Sequence, residues 1–370
     1  MKSVKQLSKL KGKTVLVRVD FNVTVSAGKV VDDFKMQAAL PTIQYLRRQG
    51  ARVILVSHFG RPLGKDNKFS LRPIARHLSQ LLQTKVEFTV DYKKVSDSKA
   101  QLILLENIRF DKREQAGSKA LAKELADLAD VYVNEAFAVS HRKDTSVYYL
   151  PNYLPSYAGL RLLQEVHELS TWHKPSPGSV AVLGGAKIST KLKLVKVLAK
   201  KMDYVLLGGG LANNYLQAID LPIGQSLVEP GMKTAVRKDL GANILGPIDV
   251  VVQTDKGKRV IKPAADVQKT DKIYDIGPIS IDIYKDIIKQ AKQVLWNGPM
   301  GLFEIKGFQS GTYEIAMAVA NSKRSLAGGG ETVTAINNLQ LASYYTFIST
   351  GGGAMLKYLE VGSLPALAKL

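Results

Sequence analysis

The 370-residue chain predicts an α/β fold: two doubly wound parallel-sheet domains joined by a hinge helix. Three observations carry this expectation. Short β-branched or leucine-rich runs recur, end abruptly in Gly, Asn, Asp or His, and are followed by helix-like stretches. Such near-continuous apolar runs are the mark of parallel strands covered on both faces. The length also exceeds what one ordinary core takes, so two domains are expected.

In the first half the runs are 14–19, 52–56, 102–105 and 131–133, and in the second 179–183, 204–207, 248–252, 294–296 and 345–348. Between the halves lies His173-Lys174-Pro175-Ser176-Pro177-Gly178-Ser179, which neither a helix nor a strand accommodates. Before it, 160–172 carries Leu162, Leu163, Val166 and Leu169 at helical spacing, so a connecting helix able to act as a hinge is expected there. The expected domains are 1–160 with a returning tail at about 359–370, then an interdomain helix and linker at 161–178, then 179–358.

Apolar residues make up 45% and charged residues 23%, the balance of a soluble globular protein. No apolar stretch reaches the ~18 residues of a membrane helix. Met1-Lys2-Ser3-Val4-Lys5-Gln6-Leu7 has no continuous apolar core of a secretory signal. Cysteine is absent, which excludes disulfides, thiolate metal sites and a Cys nucleophile, and fits a cytoplasmic location. Lys and Arg number 52 against 32 Asp and Glu, a formal charge of +20. That field attracts polyanions, either nucleic acid or phosphorylated metabolites. The basic residues are spread along the whole chain, so a lysine-rich solvated surface is the plainer account, and nucleic acid is not expected as the primary partner.

In doubly wound folds, ligands bind beyond the carboxyl ends of the strands. In the first half these positions hold Asp20, Asn22, His58, Arg61, Arg109, His141 and Arg142, the residue types that grip a small multiply charged anion. In the second half they hold Gly184-Gly185-Ala186-Lys187, Gly208-Gly209-Gly210, Asn297-Gly298-Pro299, Gly328-Gly329-Gly330 and Gly351-Gly352-Gly353. Glycine lets backbone approach a ligand closely, and a helix start after it offers free N–H groups to phosphate. One half is suited to an acidic metabolite and the other to a nucleotide.

Each string also has an ordinary explanation. Asp20-Phe21-Asn22 can be a turn, Arg109 a surface ion pair, and His141-Arg142 a cap. Lys187 and Lys191, four apart, would share a face on a helix, but solvated lysines do the same. Glu331 beside Thr332 suits Mg²⁺-nucleotide, or simply a helix dipole. The joint placement after apolar runs is what favours sites. No Gly-x-x-x-x-Gly-Lys-Ser/Thr loop and no Gly-x-Gly-x-x-Gly fingerprint occurs. His141-Arg142-Lys143-Asp144 lacks the companion motifs of a protein kinase.

Taken in order, the strings resemble the phosphoglycerate kinase family over essentially the whole chain. They are Val17-Arg18-Val19-Asp20-Phe21-Asn22-Val23, Ser57-His58-Phe59-Gly60-Arg61-Pro62, Leu105-Glu106-Asn107-Ile108-Arg109-Phe110, Leu183-Gly184-Gly185-Ala186-Lys187, Asp275-Ile276-Gly277-Pro278, Trp296-Asn297-Gly298-Pro299-Met300-Gly301, Gly328-Gly329-Gly330 and Ser349-Thr350-Gly351-Gly352-Gly353-Ala354. The resemblance implies a monomeric glycolytic enzyme of two Rossmann-like lobes about a cleft, using ATP/ADP with Mg²⁺ and 3-phosphoglycerate/1,3-bisphosphoglycerate. It implies that Asp20, Asn22, Lys35, His58, Arg61, Arg109 and Arg142 hold the acid. It further implies that Lys187, Lys191 and Asn297 meet the nucleotide phosphates, Glu304 the ribose, and Gly208, Gly209 and Gly210 the base. Gly329, Gly330, Glu331 and Thr332 would carry Mg²⁺-nucleotide, with Glu331 toward the metal. Lys35, Lys187, Gly352 and Gly353 would act on the phosphoryl group in flight.

Some positions depart from the family pattern. Lys35 stands where the family has an arginine that touches the transferring phosphate. Lysine keeps the charge but loses the planar fork, and losing one transition-state donor costs at most roughly 10²–10³ in rate. The family's His-Arg-x-His reads His141-Arg142-Lys143-Asp144, and an acid at 144 repels an anion unless paired, with Lys143 the adjacent candidate. Glu331, Thr24 and Thr190 replace Asp, Pro and Asp. These changes open a second reading, a catalytically weakened relative with a nucleic-acid or other polyanion-binding role.

Overall fold

Alternate residues of the first strand point into two different cores. In β1 (Thr14–Arg18), Val15 and Val17 pack with Val53, Leu55, Ile43 and Ile74, while Leu16 packs with Ile54, Val56, Leu121 and Leu125. A strand buried on both sides has to be apolar throughout, which is why the run carries no alternation. The computed structural model describes residues 1–7 and 9–370. It divides into two units, Met1–Leu169 with Val361–Leu370, and Ser170–Glu360.

In the first unit β1 is followed by β2 (Thr24–Ser26), β3 (Lys29–Asp32), β4 (Arg52–Val56), β5 (Glu87–Thr89), β6 (Leu102–Leu105), β7 (Val131–Asn134) and β8 (Ser156–Ala158). The sheet order is β5-β6-β4-β1-β7-β8, parallel throughout. Helices α1 (Phe34–Arg48), α2 (Arg72–Leu81), α3 (Arg113–Ala116) and α4 (Lys119–Ala126) cover it, and α5 (Leu160–His173) leaves it. β2 and β3 form an antiparallel hairpin whose turn, Ala27-Gly28, has φ of 48° and 73°. Two positive φ values suit the twist of a two-residue hairpin. The hairpin was not among the expected runs, and it delivers the chain to α1 and Lys35. At the other end of the sequence, Ala366 packs with Ala136, Val139 and Val147, and its N–H donates to the Ser140 carbonyl.

The second unit holds β9 (Ser179–Leu183), β10 (Tyr204–Leu207), β11 (Ile244–Leu245), β12 (Asp249–Gln253), β13 (Arg259–Pro263), β14 (Lys272–Ile276), β15 (Gln293–Asn297), β16 (Ser325–Gly328) and β17 (Phe347–Ser349). Its helices are α6 (Leu192–Ala199), α7 (Gly209–Ala218), α8 (Lys233–Asp239), α9 (Pro278–Gln290), α10 (Ser310–Ala320), α11 (Gly330–Asn338) and α12 (Gly352–Val361), the last ending at the unit boundary. The main sheet runs β11-β10-β9-β15-β16-β17, all parallel.

The apolar run at 248–252 does not join it. It forms β12, in an antiparallel sheet of order β13-β12-β14. A hairpin that closes through Gly257 at φ 71° pairs it locally, and Val250 and Val252 bury against Leu216, Ala264 and Val267. No described helix is long and apolar enough to cross a membrane.

Candidate active site

The carboxyl ends of β1, β4, β6 and β7 bring one polar cluster together in the first unit. Asp20 follows β1 and is buried; Lys35, at the start of α1, donates to its Oδ2 at 2.8 Å. Burial alone would raise this carboxyl, but the surrounding cations, Lys35 first, more than offset it and hold it at about 2. The Asn22 N–H donates to Asp20 Oδ1 at 3.2 Å, and Asn22 Oδ1 accepts from the Gly60 N–H at 2.9 Å. The loop after β4 is thereby tied to the loop after β1. Arg109, after β6, donates from Nη1 to the Gly60 carbonyl at 2.6 Å, locking a third loop to the same point.

His58 is buried, and burial pushes its basicity well below the usual imidazole range, with Arg18, Arg109 and Lys35 pushing the same way against Asp20. Arg18 Nη2 lies 3.2 Å from His58 Nδ1. A guanidinium can only donate, so Nδ1 is the acceptor and the imidazole proton sits on Nε2. His58 is therefore a neutral ring with one fixed donor.

Arg18, Ser146 and Glu114 form a buried chain of hydrogen bonds behind this cluster that the sequence did not single out. Arg18 is fully buried; its Nε donates to Ser146 Oγ at 2.8 Å, and Ser146 Oγ donates to Glu114 Oε1 at 2.6 Å. The Glu114 carboxyl is raised by burial, with Arg18 opposing. The one available sequence signal was a charged residue closing an otherwise apolar strand.

Arg61 is exposed and Arg142 half-buried. Arg142 is close enough to Arg109 to depress its basicity, second to burial, to about 10. Asp144 does not turn to Lys143. Its Oδ2 lies 3.9 Å from Arg109 Nη2, while Lys143 stacks over the Tyr148 ring at 5.6 Å.

In the second unit the ends of β9, β10, β15, β16 and β17 carry the glycine strings, and the site is mostly backbone. A groove is lined by Gly185, Gly209, Gly210, Tyr274, Glu304 and Glu331. Beside it an opening is lined by Lys191, Asn297, Gly329, Gly330, Gly352 and Gly353, together with Glu331 and Thr332. Helices α11 and α12 both begin here, and a Cβ on Gly352 would sit 3.0 Å from Gly329 Cα. Two helix starts this close aim first-turn N–H groups and two positive dipole ends at one place.

The Lys191 amine reaches the same opening, donating to the Gly184 carbonyl at 2.6 Å; burial lowers it to about 8 despite Glu331. Gly184 is there because a Cβ would lie 1.9 Å from the Pro299 carbonyl oxygen. Asn297 donates to the Gly328 carbonyl, and Thr332 Oγ1 accepts from the Gly298 N–H at 2.7 Å, so both fix the loops that shape the opening. Gly208 packs beneath Met300 and leaves the groove wall to Gly209 and Gly210.

The two lysines do not share a helix face. Residues 188–191 form a turn, with the Lys191 N–H donating to the Ile188 carbonyl at 2.9 Å, and α6 begins only at Leu192. Lys191 faces inward, whereas Lys187 is exposed and lines neither opening. No three His, Cys, Asp or Glu side chains gather as a metal cage among the described residues.

Directional cations on one parallel sheet and a glycine-walled groove on another are the parts that a phosphotransferase acting on a small acid and a nucleotide needs. The family described as phosphoglycerate kinase matches residues 4–362. A phosphoglycerate kinase of Leptospira biflexa is 41% identical over 382 residues, covering 97% of this chain and 95% of that protein. One of Dictyoglomus turgidum is 42% identical over 380 residues, covering 98% and 96%. The solved phosphoglycerate kinase of Coxiella burnetii superposes with a TM-score of 0.87 at 37% identity, covering 99% of this chain and 98% of that one. The chain belongs to the phosphoglycerate kinase family.

Proposed function

We propose that the first unit binds 3-phosphoglycerate, that the second binds Mg²⁺-ATP or Mg²⁺-ADP, and that a phosphoryl group passes reversibly between them. The observation that carries this reading is the convergence of the α11 and α12 starts with Lys191 on one opening. In-line phosphoryl transfer asks the protein for alignment and charge stabilisation rather than covalent chemistry. The acid's anionic groups meet Lys35, Arg61, Arg109 and Arg142, and the His58 Nε2–H donates to a substrate oxygen without adding charge. The base lies against Gly209 and Gly210, Glu304 accepts from the ribose, and Lys187 swings from its exposed position to the transferring group. First-turn N–H groups at Gly352 and Gly353 take up its spreading negative charge.

Magnesium fits this donor set. A cation delivered by nucleotide phosphates needs one or two protein carboxylates, and Glu331 supplies one beside both helix starts. Bound there, it neutralises phosphate charge. With donor and acceptor on separate units, turnover requires the units to close, and α5 is the segment that would flex. We infer a cytoplasmic monomer.

A coupled assay with ATP, Mg²⁺ and 3-phosphoglycerate tests the reading. Turnover well above that of Lys187→Ala is expected, and turnover no higher than this variant's would refute it.

A further inference from the structure

Beneath the acid-binding loops lies a buried pair of opposite charges that touch without bonding. Asp144 Oδ2 and Arg109 Nη2 are 3.9 Å apart, and neither atom has a hydrogen-bond partner; Arg109 Nε is also unmatched. Both residues are more than nine-tenths buried, at 7% and 5% exposure. The remaining Arg109 contact, to the Gly60 carbonyl, fixes the guanidinium in place. Arg18 and Arg142 add further positive charge, while Glu114 is the other acid it feels.

A buried guanidinium with idle donors is costly, and an anionic oxygen would satisfy it. Any such oxygen also meets the Asp144 carboxylate. The two anions compete for one cation.

We propose that Asp144 is the resident counter-ion of Arg109 and that, by competing with the substrate's anionic group, it sets the affinity of the acid site for 3-phosphoglycerate. The inference rests on the function proposed above. It makes Asp144 an affinity-determining residue that reaches the substrate through Arg109. Without substrate, Asp144 stabilises the buried guanidinium; with substrate, it weakens the hold on the acid. Removing its charge therefore trades stability of the empty protein for tighter binding.

The experiment compares wild type with Asp144→Asn and with Asp144→His, which restores the residue usual in the family. Asp97→Asn, a neutralised exposed acid, serves as the charge control. Calorimetric titration with 3-phosphoglycerate, KM for each substrate, and unfolding temperature with and without 3-phosphoglycerate are measured. Both variants at 144 are expected to bind 3-phosphoglycerate roughly tenfold more tightly. Their KM for the acid should fall in step, with KM for ATP unchanged. Their empty form should melt lower and gain more from the ligand, and the Asp97 variant should match wild type. Unchanged or weaker binding in the two variants, beside normal wild-type binding, would overturn the inference alone. Wild-type protein that binds Mg²⁺-ADP but no 3-phosphoglycerate would overturn the proposed function, and this inference with it.

Discussion

The two units use one architecture and opposite materials. In the first, the strand ends carry charged side chains held by a buried network: Arg18 to Ser146 to Glu114 behind, Asn22 and Arg109 pinning the Gly60 loop in front. In the second, the strand ends carry glycines, and the opening they line is mostly backbone with one inward lysine, Lys191. A small acid with several oxygens is recognised by donors at fixed angles, which side chains supply. A nucleotide needs a flat wall, room for phosphates and a diffuse positive field, which glycines and helix starts supply. Fold alone does not dictate which kind of site forms at a strand end.

The largest effect should come from filling the glycine wall. Gly184→Ala places a methyl against backbone, 1.9 Å from the Pro299 oxygen. A loss of about 3 kcal/mol or more is expected, lowering the midpoint for that unit by roughly 10 °C. Gly353→Ala, where an added Cβ meets nothing within 4 Å, should leave melting unchanged and keep ADP binding. Equal losses in both would mean the glycines serve conformation rather than space.

Next comes the buried network of the first unit. Arg18→Lys keeps the charge but cannot serve Ser146, the Val19 carbonyl and His58 together. About 2 kcal/mol of stability should go, and KM for 3-phosphoglycerate should rise about tenfold while KM for ATP holds. A change in KM for ATP alone would break the division between the units.

The units should also answer pH differently. Lys191 in the empty site loses its proton near 8, and a bound polyphosphate favours the charged form. The Lys191 contribution to nucleotide affinity should therefore be constant below pH 8 and fall as pH rises through it, whereas Lys191→Ala should bind more weakly and lack that fall. His58 is already neutral well below the usual imidazole range, so 3-phosphoglycerate affinity should show no His58 titration between about pH 6.5 and 8. A steep change there that His58→Gln abolishes would mean that the ring charges. The smallest effect is expected from Lys35→Arg, which keeps the charge facing Asp20 and should hold kcat within about tenfold; complete inactivation would show that Lys35 does not stand in for the family's arginine.

Much of this was legible in the sequence because parallel strands are continuous apolar runs, so the polar residues that follow them mark the ligand side. The two sheets and the Arg/His against Lys/Gly division follow from that rule. Pairing partners did not. The run at 248–252 looks like any buried strand, yet it pairs with β13 through a local hairpin. Distant side-chain partners were equally silent: Arg18 meets Ser146 128 positions away, and Asp144, conspicuous in the sequence, turns from its neighbour Lys143 to Arg109. The helical spacing of Lys187 and Lys191 misled because α6 starts one residue beyond Lys191.

The most direct test of the division of labour is a crossed titration. Arg142→Ala and Lys187→Ala change half-buried and exposed side chains, so both should remain folded. Arg142→Ala should weaken 3-phosphoglycerate by about 10- to 100-fold and leave Mg²⁺-ADP unchanged, and Lys187→Ala should do the reverse. A single variant that weakens both ligands alike, or Arg142→Ala that spares the acid, would contradict the account.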